Sequence, residues 1–293
     1  MVNQIATTKT VYRDGYHTVA DQIRLHYREY GTRGDGPPLL CLHALTRNAR
    51  DFHDFALRMA PRHHVIVPEF RGRGFSGRDP EPMRYTPLTY THDVIALLDH
   101  LGIADAIIIG TSLGGLVAMV LAAIDDDRIA AAVLNDVGPE LAEAGLERIK
   151  TYVGKTPVFA SWAEAAAAAK ANHRDFPKAW KAADWERMAR RLNSEAADGS
   201  VRPDYDMAIA VPFTAPPARV IDMWPMFDAL AKHPVLVLRG GESDILTPAV
   251  LDRMAGRSDQ VTTVTIPGVA HAPDLSEPEA LAAIDAFLTR LAG

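Results

Sequence analysis

Apolar side chains recur along this chain in two rhythms. Short, mostly apolar runs occupy 39–43, 64–68, 106–110, 129–135 and 234–241, a further β-like run lies at 261–266, and stretches of helical spacing lie at 51–59, 88–101, after 112, 248–255 and 278–291. An unbroken apolar run suits a strand covered on both faces. Strand and helix in alternation predict βαβ units, hence a mostly parallel sheet with helices on both sides. Residues 10–30 read differently: two β-like runs flank 20–22, and 23–30 alternates apolar and polar side chains, as a half-exposed antiparallel hairpin at a sheet edge would. The alternation breaks at 138–217. That stretch carries helical patterns at 140–152, 162–173 and 179–192, then a Pro- and Gly-bearing passage to 217, and no strong buried strand. The pattern therefore predicts an α/β core made of 1–137 and 218–293, with 138–217 as a helical insertion. Within the insertion, the five alanines between Glu164 and Lys170 read as a surface helix driven by propensity. Trp162, Trp180 and Trp185 read as its internal packing.

Polar residues with chemical potential fall where the strands end. The 106–110 run stops at Gly110-Thr111-Ser112-Leu113-Gly114, and a helical pattern starts at once. A serine at the apex of such a strand-to-helix turn is lifted clear of the sheet, and only small neighbours tolerate so tight a backbone. Asp244 follows the 234–241 strand, His271 follows the 261–266 strand, and Asp136 follows the 129–135 strand. In an open parallel sheet that edge is where ligands bind. Serine needs a base to take its proton, histidine can serve near neutral pH, and a carboxylate holds the imidazole in the useful tautomer. An imidazole must be neutral to act so, and activity should fall on the acid side.

The order Ser, Asp, His and three separate motifs resemble the α/β-hydrolase family over nearly the whole chain, with the 138–217 insertion in the place of that family's helical cap. Gly110 to Gly114 is similar to the family's nucleophile turn, Gly240-Gly241-Glu242-Ser243-Asp244 to its acid loop, and Gly268-Val269-Ala270-His271 to its histidine loop. The resemblance implies a catalytic set of Ser112, Asp244 and His271. Asp136 is the alternative acid, since some members carry the carboxylate after the strand that here ends at Asn135. It also implies two backbone donors for an oxyanion, one from Leu113 and one from Leu45 or the adjacent Thr46. Here the chain has His43-Ala44 where the family usually has His-Gly. His43 reads as a structural hydrogen-bonder of that loop. The turn Glu69-Phe70-Arg71-Gly72-Arg73-Gly74-Phe75-Ser76 resembles another family turn with Glu in place of Asp, and reads as scaffold with Arg71 tying loops together.

The implied activity is hydrolysis of a carboxylic ester or lactone through an acyl-enzyme. Serine at the apex argues against the family's haloalkane dehalogenases and epoxide hydrolases, which use aspartate there. Carbon-carbon bond hydrolysis, enol-lactone opening, acyl transfer and a ligand receptor without turnover share the same constellation. Composition changes this picture little. With 48% hydrophobic residues the chain can bury a large core, and its formal charge of -6 is spread without long single-sign blocks, which excludes a nucleic-acid footprint. The lone Cys41 lies in an apolar run and reads as a buried thiol, so neither a disulfide nor a cysteine-rich zinc site is expected. No metal or organic cofactor is implied. The first residues lack the apolar stretch of a signal peptide and no run is long enough to span a bilayer, so a cytoplasmic protein acting on a small molecule is expected, with the oligomeric state open.

Overall fold

The computed structural model describes residues 11–155, 157–172, 180–215 and 221–292. The expected boundary of the insertion at 217, the ends of two of its helices and the first ten residues lie outside them. The chain begins with the strands β1 (Arg13–Thr18) and β2 (Arg24–Tyr30), then β3 (Leu39–Leu42), helix α1 (His53–Met59), β4 (Val65–Pro68), α2 (Pro87–Leu101), β5 (Ala106–Thr111), α3 (Leu113–Ile124) and β6 (Ile129–Asn135). Next come α4 (Glu143–Tyr152), α5 (Trp162–Asn172), α6 (Ala182–Leu192), the short strands β7 (Asn193–Glu195) and β8 (Val201–Pro203), α7 (Ala210–Thr214) and α8 (Trp224–Leu230). The chain closes with β9 (Val235–Gly240), α9 (Pro248–Ala255), β10 (Val261–Ile266) and α10 (Pro278–Ala292).

Eight strands form one sheet in the order β1-β2-β4-β3-β5-β6-β9-β10. β1 with β2 and β2 with β4 are antiparallel, and every other neighbouring pair is parallel. The central strands β3, β4, β5, β6 and β9 are covered on both faces, which is why their sequences are mostly apolar. Along β5, Ala106 and Ile108 point into one core cluster with α2, α3 and α8, whereas Ile107 and Ile109 point into the other with α1 and α10. Cys41 is fully buried in the second cluster. The chain runs outward from β3 to β4 and then returns to place β5 on β3's other side, so the strand order reverses between β3 and β5. A crevice opens at such a reversal, beyond the carboxyl ends of the strands.

Two features position α3 against that crevice. A Cβ on Gly114 would overlap the Leu42 carbonyl at the end of β3, and one on Gly115 would overlap the Val137 side chain. Only glycines let the first turn of α3 come so close. The insertion departs from its sequence pattern after α6, where β7 and β8 pair as a small antiparallel ribbon, extended by a bridge between Phe159 and Val201, and the short α7 follows. The stretches Asn-Ser-Glu and Val-Arg-Pro are too short and too polar to register as strands. Among the described residues no helix is long and apolar enough to cross a membrane.

Candidate functional site

Ser112 sits between β5 and α3 at φ 50° and ψ -112°, a backbone conformation an L-residue adopts only under constraint. The constraint is visible. The Ser112 N–H donates to Asn135 C=O at 3.0 Å, and the Gly115 and Leu116 N–H groups donate back to the Ser112 carbonyl at 2.9 and 3.2 Å. A Cβ on Gly110 would lie 2.6 Å from both Gly114 C and Gly115 N. The glycines of the motif are therefore required by close approach, while the positive φ falls on the serine itself.

His271 has further to travel. Its strand, β10, lies three strands from β5 across β9 and β6, about 14 Å at the usual strand spacing. The loop after β10 crosses that gap over the end of β9, where Gly240 leaves room: a Cβ there would stand 2.6 Å from the Val269 and Ala270 carbonyls. Asn135 then fixes the far side of the loop, its amide nitrogen donating to Pro273 C=O at 2.8 Å and bonding Thr111 Oγ1 at 3.1 Å. The outcome is direct contact: His271 Nε2 lies 2.9 Å from Ser112 Oγ.

The carboxylate on the other ring nitrogen is Asp136, with Oδ2 2.7 Å from His271 Nδ1. This corrects the expectation that Asp244 holds the imidazole. Asp136 follows β6, the strand between β5 and β9, so it lies beneath the path of the histidine loop. It is fully buried. At φ 58° its backbone turns out of the ladder, its N–H donates to Leu238 C=O at 2.8 Å, and its Oδ1 accepts from the Gly240 N–H at 2.9 Å. Asp244 instead faces α4, where Arg148 grips it through Nε at 2.5 Å and Nη2 at 2.8 Å. That hydrogen-bonded pairing holds the Asp244 carboxyl below the usual carboxylate range against the opposing effect of burial. Arg148 is the residue that sequence reasoning missed. Nothing in the helical pattern of 140–152 shows which arginine turns toward the sheet.

The expected oxyanion donors occupy the right segments. Leu113 opens α3, so its N–H lies in a first turn that has no intrahelical acceptor. In the loop after β3, the Ala44 carbonyl accepts from His43 Nδ1–H at 2.8 Å and from the Arg47 N–H at 3.1 Å. In a trans peptide the N–H opposes the C=O, so the Leu45 N–H is turned away from His43. The Leu45 carbonyl in turn accepts from Arg73 Nε at 3.0 Å, and Leu45 and Thr46 both line the cavity. His43 is the structural hydrogen-bonder expected: its Nε2 accepts from the Phe70 N–H at 3.1 Å. The turn at 69–76 is scaffold as expected, with Arg71 bridging Asp21, Asp79 and Asp93. Burial alone would raise the Glu69 carboxyl, but bonds from His26 and the Phe75 and Ala49 N–H groups hold it low.

Above the Ser112 hydroxyl lies a cavity of about 130 Å³ whose floor carries Ser112 and His271. Its upper wall comes from the insertion, including Ile149, Phe159, Met188 and, on α5, Ala165, Ala168 and Ala169. The alanine run forms a surface helix whose inner face is turned to the cavity: Ala165 and Ala169 are buried while Glu164, Ala167 and Lys170 are exposed. The tryptophans pack as expected: Trp185 is buried, the Trp180 ring lies tilted against it with centroids 4.7 Å apart, and the Arg190 guanidinium covers Trp162.

Known proteins resemble this one along most of its length. A solved α/β hydrolase from Novosphingobium aromaticivorans superposes with a TM-score of 0.90 at 49% identity, covering 96% of this chain and 99% of that one. A 3-hydroxybutyrate-oligomer hydrolase from Cupriavidus necator is 31% identical over 275 residues, 91% of this chain and 93% of that protein. A 2-(acetamidomethylene)succinate hydrolase from Mesorhizobium japonicum is 28% identical over 269 residues, 91% of this chain and 92% of its own. The family profile described as the alpha/beta hydrolase fold matches residues 37–278, which takes in the serine turn, both carboxylate loops and the histidine loop, and the chain belongs to that family.

Proposed function

We propose that this hydrolase cleaves carboxylic esters, with Ser112 as nucleophile, His271 as general base and then acid, and Asp136 as the carboxylate that orients the imidazole. The observation that carries the reading is the continuous hydrogen-bonded line from Ser112 Oγ through His271 to Asp136, at 2.9 and 2.7 Å. As Ser112 Oγ attacks the carbonyl carbon, its proton passes to His271 Nε2, and the buried Asp136 carboxylate stabilises the imidazolium that forms. The carbonyl oxygen becomes an oxyanion held by the N–H groups of Leu113 and Leu45. Collapse returns the proton to the departing alcohol, and water repeats the sequence to free the acid. Residues 138–217 act as a cap that closes the cavity and meets the acyl and alcohol groups.

The similarity to a 3-hydroxybutyrate-oligomer hydrolase supports a short hydroxy-acid ester as substrate. The cavity fits that chemistry in mixing an apolar roof with polar groups at Arg47, Asn193 and Tyr205. The test is a pre-steady-state burst of p-nitrophenol from p-nitrophenyl acetate, with the acetylated protein trapped by acid quench and weighed. Wild type should carry one acetyl group on the peptide containing Ser112, and Ser112→Ala should lose the burst and at least about three orders of magnitude in kcat. Undiminished turnover by Ser112→Ala would refute the assignment.

A further inference from the structure

The Asp244 loop packs directly on the histidine loop. The Glu242 N–H donates to Val269 C=O at 2.9 Å and the Gly241 N–H to Ile266 C=O at 2.7 Å. Asp244 is therefore a second carboxylate in the neighbourhood of an imidazole that already holds Asp136. Two uncompensated carboxylates would favour the imidazolium, which has no lone pair with which to take the Ser112 proton.

The Arg148 guanidinium meets Asp244 fork to fork, the geometry that best fixes a carboxylate in direction as well as in charge. α4 is built to deliver it. Ala142 N–H donates to Ile245 C=O at 2.9 Å, and a Cβ on Gly145 would overlap the Asp244 carbonyl and the Ile245 side chain. The other charged groups at the cavity are also matched. Arg47 and Asp51 pair at 3.1 Å, and Asp274, on the histidine's own loop, lies 3.8 Å from Arg191 of α6. Removing one member of the Arg148 and Asp244 pair therefore leaves a single unbalanced charge beside the imidazole.

We propose that Arg148 is a positioning residue for the relay: it turns the Asp244 carboxylate away from His271 and cancels its charge, so that Asp136 alone governs the imidazole. The inference rests on the proposed role of His271 as base and assigns α4 a part in setting the pH range of the reaction. After Arg148, the nearby imidazole also acts to hold the Asp244 carboxyl low, in keeping with the packing of the two loops.

The experiment is the pH profile of kcat/KM on p-nitrophenyl acetate for wild type, Arg148→Met, Asp244→Asn and the double variant. Arg148→Met exposes a negative charge and should move the acid limb to higher pH by about 0.5 to 1 unit. Asp244→Asn exposes a positive charge and should move it to lower pH by a similar amount. The double variant should fall back onto the wild-type limb. Opposite shifts that cancel are not produced by a merely structural loss. If Arg148→Met does not fold, the downward shift in Asp244→Asn carries the test alone. Limbs that stay in place, or single shifts of the same sign, overturn the proposal, as does a loss of kcat in Asp244→Asn as deep as that in Ser112→Ala. If wild type turns over no ester, the proposed function fails first, and titration of the His271 ring signals by NMR in the same four proteins still reads the inference.

Discussion

His43 commits both ring nitrogens to its own loop, Nδ1–H to the Ala44 carbonyl and Nε2 as acceptor for the Phe70 N–H. That arrangement accommodates only the neutral ring, and complete burial lowers its pKa to about 4. Because the folded pKa lies below that of the unfolded chain, the stabilising effect is complete above the unfolded value. It is lost as pH falls from there toward 4, where the unfolded chain binds a proton that the folded one refuses. The loss is of order 3 kcal/mol. Urea unfolding midpoints should therefore drop between pH 6.5 and 4, with a smaller drop in His43→Gln; a midpoint flat over that window would contradict the account. The role of His43 was legible from its place in the loop, as was that of Ser112 from its flanking glycines. The acid was not. Asp244 and Asp136 both follow buried, mostly apolar strands, and what separates them is Arg148 on a helix whose facing no sequence pattern fixes.

At the scale of elements, the central strands were readable because burial on both faces leaves few polar positions to confuse the run. β6 carries Ile-Ala-Ala-Ala-Val-Leu-Asn with six of seven positions buried. The insertion was readable only as helices. α5 illustrates the gap: a run of identical alanines has no amphipathic face, so propensity alone suggested exposure, yet its 165/168/169 side faces the cavity. Alanine keeps that wall low. A larger side chain there should shorten the space above Ser112, and Ala169→Leu is expected to cut kcat/KM for a hexanoyl ester about tenfold more than for an acetyl ester. Equal losses on both esters would remove α5 from the acyl site.

Considered as a whole, the molecule gathers the three side chains of the proposed relay from strand ends that lie far apart in sequence but within one edge of the sheet. β5 presents the serine, β6 the carboxylate, and the loop after β10 crosses β9 to bring the imidazole between them. The fold class and the edge were legible because the order of runs dictates a parallel sheet. The crossing was not, since it depends on Gly240 leaving space and on Asn135 catching Pro273. The central claim is that Asp136, on the strand next to the serine's own, completes the line. The most direct measurement is kcat of Asp136→Asn beside Asp244→Asn, both folded, on one ester. The account predicts a fall of about four orders of magnitude for Asp136→Asn and less than about tenfold for Asp244→Asn. Near wild-type turnover by Asp136→Asn, or the large loss appearing in Asp244→Asn instead, would contradict it.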